Sequence, residues 1–177
     1  MRLDNHHLAV RMIPCLAIAL MAALAAPAFA QNEVQLIVKH LKTSQDFTLK
    51  VADQMPEANY AFKLTPPQMS FAEQLVHLTQ ALDEYVAPVL GQKPTPAKPA
   101  SMNKRDVMAF VRKSFDDVIA KVSKLTPAQL SKTYASDEGN MTGLELLMAM
   151  LDHTTHHRAS AEMYLRAKGI TPVEYEF

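Results

Sequence analysis

Apolar residues recur at helical spacing in four separate stretches of this 177-residue chain, and that periodicity constrains its fold more than any other feature. Val34, Ile37, Val38, Leu41, Leu49, Ala52 and Met55 share one face of a segment running from Glu33 to Met55, which Pro56 ends. A second segment opens at Ser70 with Glu73 three residues on, the pattern of a capping box. It carries Phe71, Leu75, Leu78 and Leu82 and is expected to stop before Pro88. The third begins near Asn103, with Val107, Phe110, Val111, Val118, Val122 and Leu125 on one side. The fourth runs from Thr142 to Lys168, where Gly169 followed by Ile170 is a C-cap signature and Arg166 and Lys168 suit the negative end of the helix dipole. No internal repeat is present. The expected architecture is a single all-α four-helix bundle.

The connections refine this. Prolines 88, 94, 96 and 99 stiffen a long crossover between the second and third helices, long enough to let those two run parallel. Thr126-Pro127 reads as the cap and first position of a short helical turn through Leu130.

Upstream of the bundle, residues 1–30 read as a signal peptide. Arg2 and Arg11 form a positive start, Met12 to Ala26 is uncharged and apolar, and Ala28-Phe29-Ala30 offers small residues where a signal peptidase reads, with cleavage before Gln31. The rival is an uncleaved anchor, since no charge appears from Met12 to Ala30; that stretch is Ala-rich, marginal in length and carries Pro14 and Pro27. Cleavage places the mature domain, 31–177, in the periplasm or outside the cell.

Composition then excludes several chemistries. Without Arg2, Arg11 and Asp4, the mature chain has 16 basic against 17 acidic residues, a net charge of −1, which gives no electrostatic footprint for nucleic acid or anionic membrane. The one cysteine, Cys15, leaves with the signal segment, so disulfides, thiolate nucleophiles and thiolate metal ligands are all excluded. Four glycines and no G-x-G-x-x-G or P-loop pattern argue against a phosphate cradle. Oxygen and nitrogen side chains must carry any chemistry.

His40, His77, His153, His156 and His157 remain. His153 and His157 stand four apart on the longest helix, so their imidazoles project from one face a turn apart, as two ligands of one metal ion must. They share a stripe with Leu146, Met150, Ala161 and Tyr164, whereas His156 falls off it and reads as a flanking residue. The same spacing suits two hydrogen-bonded histidines at a core edge. A third ligand has to come from elsewhere, with His40 and His77 as candidates, and periodicity favours neither. His77 falls on the polar side of its helix with Glu73 and Glu84.

The run Leu151-Asp152-His153-Thr154-Thr155-His156-His157-Arg158, followed by Tyr164-Leu165-Arg166-Ala167-Lys168-Gly169-Ile170, resembles the DinB-like (damage-inducible) superfamily of four-helix metal-binding proteins. Ser70 to His77 fits that superfamily's Ser-x6-His arrangement on the second helix, and His153 and His157 fit its H-x-x-x-H-R. The resemblance implies an up-down-down-up topology and His77, His153 and His157 as metal ligands. It departs at Ala159 and Ser160, where members often carry Gly-Gln, and at Pro172-Val173-Glu174-Tyr175, where many carry Pro-Pro-x-Tyr.

Three imidazoles leave a divalent ion at least one open position for a small molecule, the arrangement shared by catalytic zinc sites. Zinc or nickel is the first expectation, with iron or copper as alternatives. The resemblance further implies a metal-dependent transferase and homodimer formation; a metal-assisted hydrolase is also open, and the other class is a non-catalytic metal-binding or stress-related module. Glu73 is the nearest carboxylate in sequence to a ligand, but its capping role accounts for it. Glu-x-x-His pairs are missing, which excludes a di-iron carboxylate bundle.

Overall fold

A computed structural model describes the backbone of residues 13–136 and 139–175 and the side chains from residue 33 onward. The signal peptide expected over residues 1–30 lies outside the described side chains. The helices are α1 (Ile13–Gln54), α2 (Phe71–Val89), α3 (Lys104–Val122), the short α4 (Pro127–Ser131) and α5 (Gly143–Ala167). A two-stranded hairpin, β1 (Thr133–Ser136) and β2 (Gly139–Thr142), precedes α5. Among the described residues no helix is long and apolar enough to cross a membrane.

Side-chain caps set where the helices start. Ser70 Oγ accepts from the Glu73 N–H at 3.2 Å while the Glu73 carboxylate accepts from the Ser70 N–H at 2.6 Å, closing the expected box on α2. Thr126 with Gln129 builds the same reciprocal pair on α4, and Thr142 with Glu145 builds it on α5. Asn103 caps α3 by accepting from the Asp106 N–H at 2.8 Å. Each pair satisfies N–H groups that the first helical turn leaves without a partner. At the far end of α5, Gly169 adopts φ +74° and the Ile170 N–H bonds the Leu165 carbonyl at 3.0 Å, as its sequence signature predicts.

Two expectations need correction. Pro88 does not stop α2, which runs through it to Val89. A proline in the last turn removes one N–H there, and the chain turns away just past the helix end at Gly91, whose φ of +68° lets the Gln92 N–H reach the Ala87 carbonyl at 2.9 Å. The other is an addition rather than a reversal: the all-α class holds, and one short hairpin stands where the sequence pattern reads as a connection. The hairpin pairs Thr133 with Thr142 and Tyr134 with Met141, and the last pair packs its side chains against the core.

α1 and α2 each pack against both α3 and α5, so the four long helices surround one core. Tyr60, Phe71 and Tyr164 fill one region of it: Tyr60 and Phe71 meet edge to face at 5.2 Å, and the Tyr164 hydroxyl donates to the Met69 carbonyl. α5 begins at a tight crossing with α4. A Cβ on Gly143 would sit 2.2 Å from the Gln129 carbonyl oxygen, so only glycine fits there.

Candidate metal centre

The α2–α5 seam holds the three expected histidines together. His77 comes from the middle of α2, and His153 and His157 come from successive turns of α5. One ring nitrogen of each lies within 4.8 Å of the other two, and all three residues are half-buried. Ring centroids are 5.1 Å apart for His77–His153, 4.4 Å for His77–His157 and 4.5 Å for His153–His157. Imidazole nitrogens about 2.1 Å from a tetrahedral ion stand roughly 3.4 Å from one another. Small rotations of the rings would therefore close this trio on a single divalent cation.

His77 reaches the seam because α2 has a second inward stripe beside the Phe71/Leu75/Leu82 face. Gln74, His77, Ala81 and Tyr85 follow it at three- and four-residue steps and are half-buried or buried. Simple periodicity assigns His77 to the polar side of α2 because this stripe is lined by polar and small residues. Its polarity is what a site requires.

Gln74 is the residue that sequence reasoning missed. Its Oε1 lies 2.7 Å from His157 Nδ1. An amide oxygen only accepts, so Nδ1 carries the hydrogen and Nε2 is left with the lone pair. Its position three residues before His77 was the available signal. Tyr85 closes the other end, its ring 5.9 Å from that of His153.

Electrostatics keep His157 ready for a cation. Burial pushes the His157 pKa down to about 4, and the neighbouring His153, His77 and His156 push in the same direction. A ring that resists protonation keeps its lone pair available near neutral pH. Among the described residues no carboxylate or thiolate joins the cluster, so the donor set is three imidazole nitrogens. Such a set suits zinc, nickel, copper or iron(II) rather than calcium or magnesium.

The remaining candidates lie elsewhere. His156 is exposed and only stacks its ring edge against His157, at 4.9 Å. His40 belongs to α1 and lines a groove on the other side of α5. The Glu73 carboxylate is engaged by the Ser70 N–H and lies 3.5 Å from Lys63 Nζ, away from any base role. Asp152 is exposed and borders the same groove as His40.

A sequence model of the DinB family matches residues 30–177. The Bacillus subtilis (strain 168) protein YjoA, itself described as uncharacterized, is 20% identical over 143 residues, 78% of this chain and 93% of that protein. The crystal structure of that DinB-like protein superposes with a TM-score of 0.65, covering 79% of this chain and 96% of the other. A DinB-like protein from Bacillus cereus ATCC 10987 superposes with a TM-score of 0.69 at 15% identity, covering 79% and 95%. At these identities the structural likeness speaks for the fold alone.

Proposed function

This chain belongs to the DinB family, and from that premise we propose that it is an exported protein that holds one divalent metal ion through His77, His153 and His157 and uses it in a transferase or hydrolase reaction. The observation that carries the reading is the convergence of three ring nitrogens within 4.8 Å, from two helices, with no competing ligand type among the described residues. Zinc or nickel suits this donor set best.

The chain's own residues supply positioning. Gln74 fixes the ring of His157 in the tautomer that presents Nε2. Burial of His157 disfavours its protonated form, so the ligand stays neutral as pH falls below 6. A divalent ion bound there supplies Lewis-acid polarisation of a carbonyl, thiol or water oxygen or sulfur at its open position. The family's up-down-down-up topology fits the pairwise packing of α1 and α2 on both α3 and α5. Export rests on the positive start, the apolar run and the Ala28-Phe29-Ala30 pattern of the sequence.

A second reading, a metal-binding module without catalysis, is favoured by one observation. Among the described residues no carboxylate joins the cluster to act as a base, and Glu73 is committed to its cap. Metal content of the purified protein and of His157→Ala, measured beside turnover in thiol-transfer and hydrolysis panels, separates these readings. Stoichiometric metal with turnover lost in the variant supports the enzyme. Stoichiometric metal without turnover supports the module, and undiminished metal in the variant removes the site itself.

A further inference from the structure

α5 has a second lined face, turned away from the histidines. There Leu144, Met148 and Leu151 meet Leu36 and Ile37 of α1 across a groove of about 530 Å³. Leu36 and Met148 are 53% and 56% exposed, an unusual state for large apolar side chains that stand side by side.

The groove also has a charged wall. Arg158 lines it, yet is only 4% exposed. Its guanidinium donates to Ser44 Oγ at 2.8 Å and to Thr155 Oγ1 at 3.3 Å, and it lies 4.5 Å above the Phe47 ring. These acceptors are neutral. Among the described residues no carboxylate comes within ion-pair distance of Arg158; Glu162, one turn along α5, acts on it only at longer range. Buried guanidinium groups are ordinarily matched by a carboxylate or phosphate in fork geometry, because an uncompensated buried charge is costly. The acidic groups of the groove, Glu33 and Asp152, are exposed at its rim.

An apolar trough of this volume, with one buried cation in its wall whose hydrogen-bond partners are neutral hydroxyls, has the composition of a small-molecule site. We infer that the α1–α5 groove binds an amphipathic monocarboxylate, whose carboxylate pairs with Arg158 and whose single apolar chain covers Leu36 and Met148. Charge complementarity selects this occupant over a neutral lipid or an amine. The site is separate from the histidine cluster and stands or falls independently of the metal reading.

The test is calorimetric titration of the purified protein with octanoate and, separately, with 1-octanol, at matched ionic strength. Octanoate is expected to bind at least tenfold more tightly than the alcohol, and Arg158→Met is expected to erase that preference. Arg158 ties α5 to α1, so a second variant guards against misfolding: Met148→Glu changes only the exposed wall. It is expected to weaken octanoate at least tenfold, with helicity by circular dichroism and metal content unchanged. Equal affinity for octanoate and octanol, or no octanoate binding at millimolar concentration, overturns the inference. So does a dimer in sedimentation that Met148→Glu dissociates and octanoate leaves intact, since a second copy then fills the groove.

Discussion

Gln74 and His157 meet across the α2–α5 seam, the amide oxygen of one 2.7 Å from Nδ1 of the other. This contact joins the helix that contributes one candidate ligand to the helix that contributes two, and it decides which nitrogen His157 presents. Groups that orient a ligand in this way typically change metal affinity by about 10–100-fold when removed. Gln74→Leu is therefore expected to weaken zinc binding by about 10-fold or more with unchanged helicity, while Gln74→Glu, which keeps an acceptor, retains most of it. Competition titration against a chromogenic chelator measures both.

Gly143 is the second position where one atom matters. Its absent Cβ is what allows the Gln129 carbonyl to approach. Gly143→Ala is expected to destabilise the protein by about 1–3 kcal/mol, through overpacking at the α4–α5 crossing. Urea denaturation should show the midpoint falling at constant slope; an unchanged midpoint would mean that the crossing adjusts freely.

The α2 capping box makes stability depend on pH. The hydrogen bond from the Ser70 N–H, then the Ser70 side chain and Lys63, outweigh a small opposing burial effect and hold the Glu73 pKa below its ordinary 4.5. A carboxylate with a lowered folded-state pKa stabilises fully above its unfolded value, and that contribution is lost as pH falls through the folded one. Glu73→Gln should accordingly lower Tm at pH 6, and the gap should narrow as pH falls below 4.5 and through the lowered folded-state value. Glu73 is 46% exposed, and solvent screening limits the gap at pH 6 to about 1–3 °C. Thermal scans across that range check it.

The helical framework is legible in the sequence because its signals are local. Ser70 with Glu73, Thr126 before Pro127, and Gly169 before Ile170 are each read within four residues and each closes as expected. His153 and His157 are legible for the same reason, since one helix fixes their separation. The misses at the site are non-local. His77 and Gln74 look solvent-facing from α2 alone, because their stripe is polar and only the partner helix shows that it is enclosed. Gly143 resembles any helix-start glycine until the Gln129 carbonyl is beside it. The hairpin strands are four residues each, too short for alternation to be distinguished from loop. Pro88 reads as a stop, yet Gly91 three residues later provides the better termination.

Of the three candidate ligands, His77 is the one that helical periodicity alone assigns to solvent and the one contributed by α2. Metal content by inductively coupled plasma mass spectrometry, on the purified protein and on His77→Ala, tests it most directly. One equivalent of a divalent transition metal in the parent protein, falling to near zero in a variant of unchanged helicity, is the result predicted. A full equivalent retained by His77→Ala would contradict the three-histidine centre.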